Sequence, residues 1–206
     1  FKIAVMVEVM RQVDEGRLRL DDRLALAEAD KSPGSTLIYC QAGLRPSVRD
    51  LLYLMITLSD NTATDMLWRL VGLRSVNETM RRLGLRTIDC SMPNREYFLI
   101  ESGAGEEWAG LTGTEIVTRW REIEGRGELE DAFRRVLEEN AHLSGAGFLH
   151  LYDRRWGRDE SLGYEDSFIV DQALDNRCSP RDMAELLAMI AQDRCATAPS
   201  CRLMLE

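Results

Sequence analysis

The chain has few residues of the kind that bind transition metals. It contains two histidines, His142 and His150, and five cysteines, none of them in paired C-x-x-C spacing. Zinc sites need three or four such ligands gathered in recognisable spacings. The sequence therefore argues against a zinc site, and we predict no metal and no cofactor.

Positive charge and long apolar runs are also scarce. The formal net charge is −9 at pH 7, whereas a nucleic-acid partner favours a basic face. No apolar run reaches the roughly 18 residues of a membrane-spanning helix. We therefore expect neither a nucleic-acid partner nor a membrane span in this chain. No signal peptide is visible, but the chain starts within a helical pattern, so this absence carries no information about export.

The composition allows a sizeable core. A length of 206 residues with 45% hydrophobic residues is enough for one large domain or for one and a half. Cys195 and Cys201 are close enough in sequence to close a small disulfide, and isolated buried thiols are an equally good interpretation.

Most of the sequence shows helical patterns. Residues 3–13 are apolar at nearly every position, which predicts a central helix buried on most sides and ended by Gly16. Five later segments start with a hydroxyl residue followed three positions on by an acid, as capped helices do: Ser47/Asp50, Thr62/Asp65, Ser75/Glu78, Thr112/Glu115 and Ser179/Asp182. Strand signals are short and confined to 36–39, 148–152 and 168–170. We therefore predict a mainly α fold.

The run Ser59-Asp60-Asn61 lies where one helical pattern has ended and another is about to begin. Taken alone, these are ordinary turn and cap residues. Their interpretation changes because Lys2 opens the apolar helix at the start of the chain. A lysine opening such a helix, followed by a Ser-Asp-Asn corner, is part of the pattern S-x-x-K, S-D-N, K-T-G.

This combination resembles the class A β-lactamases, members of the penicillin-recognising serine enzyme superfamily. The resemblance runs from Phe1 to about Asn94 and resumes at Ser179-Pro180, so it covers roughly 120 of the 206 residues. It implies the helical domain of the class A β-lactamase/transpeptidase-like fold.

Two departures from the pattern set the expected limits of the chain. The nucleophilic serine of S-x-x-K would lie two residues before Phe1, and no K-T-G, K-S-G or H-T-G follows Asn61. We therefore expect a piece truncated at both ends, with the α/β sheet domain largely missing. On this expectation, residues 1–206 alone lack the nucleophile and cannot complete the chemistry.

The resemblance also divides the chain. We predict a first part of the helical domain at 1–98, an insertion at 99–175 and the last part of the helical domain at 176–206. The insertion lengthens the connection between Asn61 and Pro180 far beyond an ordinary loop. A lid, a dimerisation element and a replacement floor of the site all remain open. So does a plain arrangement of solvated helices around core tryptophans.

The resemblance assigns a role to each residue of the corner. Lys2 would take the proton of the serine, because burial and the positive end of a helix both disfavour its ammonium form. Ser59 would relay that proton to the leaving nitrogen. Asn61 would hold the amide of the substrate, and Asp60 would brace the corner from inside without touching substrate.

The acid that removes the acyl group is the exception. In register with the family it would fall at Met92, which is followed by Pro93, and Glu96 is the nearest alternative. We predict Glu96 as a third catalytic residue beside Lys2 and Ser59. A chain without such an acid would fit a penicillin-binding or esterase-like relative better than an efficient lactamase.

The resemblance implies a serine hydrolase that forms an acyl-enzyme with β-lactams or related amides, and that is secreted or periplasmic. Two alternatives stay open. One is a D-Ala-D-Ala peptidase or esterase on the same scaffold, and the other is a non-catalytic module that senses penicillin or binds a partner through its helices. The expected partner is a small β-lactam or peptide-like substrate, and the oligomeric state is left open.

Overall fold

The computed structural model describes residues 1–156 and 164–206, with the backbone alone for 155–156 and 164–167. Within these ranges the chain forms eleven α-helices and no β-strand longer than an isolated bridge. The helices are α1 (Lys2–Asp14), α2 (Val48–Thr57), α3 (Asn61–Val71), α4 (Leu73–Arg82), α5 (Asn94–Glu101), α6 (Gly113–Arg126), α7 (Leu129–Glu139), α8 (Gly145–Trp156), α9 (Tyr164–Leu174), α10 (Pro180–Ala191) and α11 (Ala198–Leu205). The predicted mainly α fold is confirmed.

The three predicted strands are wrong. Residues 37–39 form a short 3-10 helix, 148–152 lie within α8, and 168–170 lie within α9. Each segment is a short run of apolar and aromatic residues, and such a run does not distinguish a strand from one turn of a buried helix. Phe148 and Val170 are completely buried, so packing decides their conformation.

The helix predicted at 3–13 is α1, and it is central. Ala4, Val5, Val7 and Val9 are fully buried, and α1 contacts α2, α3, α4 and α11. Because these side chains point in several directions around the helix, the all-round apolar pattern reflects burial on most sides.

The predicted capping pairs are correct for three helices. Ser47 with Asp50 and Thr112 with Glu115 form complete capping boxes at the starts of α2 and α6. At the start of α10, Ser179 accepts a hydrogen bond from the backbone amide of Asp182.

The other two capping predictions are wrong. Helix α3 begins at Asn61, because the Asp60 side chain accepts from the Ala63 amide at 2.8 Å and so takes the capping role predicted for Thr62. Helix α4 begins at Leu73 after Gly72, and the Ser75 hydroxyl donates back to the carbonyl of Val71.

Two apolar cores form the interior. The first contains α1 and residues up to Cys90 together with α10 and α11, and the second contains residues from Met92 to Leu174. The predicted boundary between the helical domain and the insertion, at residues 98 and 99, remains a prediction. Among the described residues, no helix is both long and apolar enough to cross a membrane.

Candidate active site

The Lys2 side chain joins the start of α1 to the corner between α2 and α3. Its ammonium donates to the Ser59 hydroxyl at 3.0 Å, to the Asn61 carboxamide oxygen at 2.7 Å, and to the Ser59 carbonyl. The structure therefore brings together three residues that are up to 59 positions apart in sequence.

The backbone of the corner is specialised. Ser59 has a φ of 55°, a left-handed conformation that non-glycine residues rarely adopt and that is frequent at functional sites. The Asn61 amide donates to the carbonyl of Pro33 at 2.8 Å. Gly34, at φ 70°, leaves room for this contact, since a Cβ there would lie 2.6 Å from the Asn61 amide nitrogen.

Asp60 lies beneath the corner and faces inward. Its side chain is fully buried and accepts from the backbone amides of Thr36, Leu37 and Ala63 at 2.7–3.0 Å. A buried carboxylate with three amide donors is well satisfied. It ties the start of α3 to the segment at 36–37, which holds the corner in place.

The electrostatics of the site favour the neutral amine form of Lys2. Burial lowers the pKa of its ammonium, and this effect outweighs the opposite influence of the Asp60 and Asp65 carboxylates. A lysine that loses its proton more readily is suited to accept a proton from a nearby hydroxyl.

A cleft of about 410 Å³ opens beside this group. Lys2, Ser59 and Asn61 line it together with residues of α5, α8 and α9. The lining also includes the aromatic side chains of Tyr97, Phe98 and Tyr152 and the acids Glu101, Asp171 and Asp175. Lys2 is the only lysine or arginine in the described lining.

Met92 also lines the cleft, and Asn176 fixes its backbone. The Asn176 carboxamide oxygen accepts from the amides of Ser91 at 2.9 Å and Met92 at 3.0 Å, while its amide donates to the Met92 carbonyl at 2.8 Å. The segment around Met92 is therefore held in place by a residue 84 positions away.

The structure does not bring Glu96 to this cleft. Its side chain is 2% exposed and forms an ion pair with Arg69 at 3.0 Å. The reason is helical periodicity, because Asn94, Tyr97, Phe98 and Glu101 form the cleft face of α5. Glu96 falls on the opposite side, against α3.

Sequence analysis did not predict the acidic residues that line the cleft, Glu101, Asp171 and Asp175. Asp171 and Asp175 are four residues apart, and Tyr97 and Glu101 show the same spacing on α5. This spacing places polar side chains on one helix face and is a signal that the sequence did contain. The described residues include no group of three or more histidine, cysteine or acidic side chains arranged to bind a metal ion.

Comparison with known proteins gives one family. The family described as "Beta-lactamase enzyme family" matches residues 1–206. A comparison of the sequence with curated proteins finds no significant match.

Three solved structures share the fold of this chain. A beta-lactamase from Sphaerobacter thermophilus is 26% identical with a TM-score of 0.59, and the match covers 99% of this chain and 51% of that one. A single-residue mutant of PBP-A, solved as an acyl-enzyme complex with penicillin G, is 20% identical with a TM-score of 0.58 over 98% of this chain and 49% of that one. A beta-lactamase from Chitinophaga pinensis is 16% identical with a TM-score of 0.57, over 98% of this chain and 51% of that one.

The chain thus spans about half the length of the solved proteins that it matches. The predicted fold class, the helical domain of the β-lactamase fold, is confirmed by these matches together with the helical content of the described residues.

Proposed function

The chain belongs to the beta-lactamase enzyme family, and from this premise we propose that it provides the helical side of an acyl-transfer site for β-lactams or related amides. The observation that carries the proposal is the contact of Lys2 with both Ser59 and Asn61 at the edge of one cleft. We also propose that the protein acts outside the cytoplasm, secreted or periplasmic, as the resemblance implies.

In this proposal the nucleophile is the serine that the resemblance puts two residues before Phe1. A lysine one helical turn after that serine shares a helix face with it, and its lowered pKa lets it take the hydroxyl proton. The serine oxygen then bonds to the carbonyl carbon of the substrate amide.

Two further side chains complete the acylation step. The proton passes through the Ser59 hydroxyl, which lies 3.0 Å from the Lys2 ammonium, to the leaving nitrogen of the amide as its bond to carbon breaks. The Asn61 carboxamide holds the amide group of the substrate beside the corner.

We propose that removal of the acyl group is the slow step. Met92 lies in the cleft where the family pattern puts an acid, and a thioether cannot take a proton from water. This observation favours a second candidate within the same class, a penicillin-binding peptidase or esterase that keeps its acyl group for long periods.

The test uses the full-length protein, with the serine before Phe1 and the sheet domain that the resemblance implies. We expect that mixing it with benzylpenicillin gives a covalent adduct in the intact mass within seconds to minutes, and that the adduct decays more slowly than it forms. The matched control is Lys2→Ala, which should form the adduct far more slowly.

The other outcomes are equally informative. Rapid multiple turnover without an adduct would contradict slow deacylation but retain the acyl-transfer site. Absence of any adduct or turnover, with the fold intact, would contradict the proposed function and favour a non-catalytic module.

A further inference from the structure

The acyl-enzyme of the proposed function still needs a base if it is to be hydrolysed. An ester reacts with water efficiently only when a nearby group accepts a proton from that water. Among the described cleft residues, the side chains with carboxylates are Glu101, Asp171 and Asp175. Lys2 is already engaged with the corner, so the choice lies among these three acids.

Two of the three carboxylates are poorly placed for this task. Asp171 accepts a hydrogen bond from the Tyr97 hydroxyl, and burial raises the pKa of Tyr97, so the phenol keeps its proton and stays a donor. Glu101 lines the cleft but is only 2% exposed, so water has little access to its carboxylate.

Asp175 combines access to water with a fixed backbone. It follows the end of α9 and is exposed to the cleft. One of its carboxylate oxygens accepts a hydrogen bond from the backbone amide of Asn176 at 2.6 Å. Asn176 in turn holds the backbone of Met92, so Asp175 is anchored beside the segment that lacks an acid.

The surroundings of Asp175 suit a base near the reacting atoms. Partial burial, and more weakly Asp171, raise the pKa of its carboxyl group, against the opposing hydrogen bond from the Asn176 backbone amide and the Arg177 cation. Asp175 lines the same cleft as Phe1 and Lys2 at the start of α1. A carboxyl group whose pKa moves towards the working pH accepts protons more effectively.

We infer that Asp175 is the residue that activates water against the acyl-enzyme, an inference that rests on the proposed function. Asp175 takes one proton from water while the water oxygen bonds to the acyl carbon. The ester bond between that carbon and the serine oxygen then breaks, and the serine oxygen takes the proton from Asp175. One water is consumed, the acyl group leaves as a carboxylic acid, and both side chains return to their starting forms.

The experiment separates formation of the adduct from its decay. The full-length protein is labelled with benzylpenicillin, excess drug is removed, and the adduct is followed by intact mass. Asp175→Asn keeps the size of the side chain and an oxygen that can accept from the backbone amide of Asn176. We therefore expect the rate of adduct formation to be unchanged. We expect decay to slow by roughly 10²–10⁴-fold, the usual worth of a positioned base.

Two comparisons make the result specific. Asp171→Asn removes the same charge from the same cleft and should change decay by far less. Hydroxylamine is a stronger nucleophile than water and needs less help from a base, so it should restore decay of the adduct in Asp175→Asn. Rescue would show that the ester stays accessible to a nucleophile in the variant, so the slow decay reflects weaker activation of water.

The outcomes distinguish the inference from the function beneath it. No labelling of the unaltered protein would overturn both. Normal labelling with equal decay in Asp175→Asn and the unaltered protein would overturn the inference and leave the proposed function standing. An equally large effect of Asp171→Asn would also overturn it, because the charge of the cleft would then be responsible.

Discussion

At the scale of single residues, Lys2 is the most exacting part of the proposed site. In the full-length protein, Lys2→Ala should slow acylation roughly 10²–10⁴-fold, because it removes the positioned proton acceptor. Ser59→Ala and Asn61→Ala should slow it by smaller amounts, since each removes one partner of Lys2 and retains the lysine itself. The measurement is the rate of labelling by a fluorescent penicillin.

The role of Lys2 as proton acceptor also predicts how the acylation rate changes with pH. Because burial lowers the pKa of Lys2, acylation should rise with pH and reach half its plateau below about 10.4, the value of an ordinary lysine. Arg17→Ala, an exposed cation just beyond the other end of α1, is the control and should retain both rate and profile. If Lys2→Ala, Ser59→Ala and Asn61→Ala were all labelled at the unaltered rate, the corner would have only a structural role.

At the scale of elements, Glu96 joins two helices. Its carboxylate on α5 pairs with Arg69 on α3 at 3.0 Å, and Arg69 is itself largely enclosed. We predict that Glu96→Gln destabilises the fold by about 2 kcal/mol, because it weakens a buried charge-assisted contact, and leaves adduct decay unchanged. Urea unfolding measures the first effect and intact mass the second.

An exposed pair provides the control for Glu96. Glu138→Gln removes a contact with Arg134 in which both side chains are mostly exposed, and it should change stability by less than about 0.5 kcal/mol. Slower adduct decay in Glu96→Gln would contradict a purely structural role and indicate that Glu96 takes part in removal of the acyl group.

The starts of α2, α6 and α10 show which parts of the fold are readable from sequence. Their caps lie within four consecutive residues, so local chemistry determines them. The segment at 148–152 was misread because its helix depends on packing of Phe148 in the second core. The corner at Ser59 was predicted through a motif. The place of Asp175 in the cleft was not predicted, because it depends on the distant contact between Asn176 and Met92.

At the scale of the whole molecule, Arg95 connects the two cores. Its side chain is 1% exposed, and its guanidinium donates to the carbonyls of Lys31, on the first core's side, and Asn140, on the second core's side. The same group lies 5.0 Å from the ring of Phe148. Because one buried side chain satisfies groups from both sides, the two cores should unfold together.

Arg95→Met tests this coupling while keeping an unbranched side chain of similar reach. We predict a loss of about 2–4 kcal/mol, because two buried carbonyls lose their donor. Hydrogen exchange in mild urea should show protection falling first in α6 to α8, while α1 stays protected.

Arg74→Met is the control for Arg95→Met. Arg74 also contacts α7, through Glu130, but its side chain is exposed and should contribute little to stability. If protection fell equally in α1 and in α6 to α8, the two cores would remain one cooperative unit without Arg95, and the coupling would have to come from the contacts of α3 with α5.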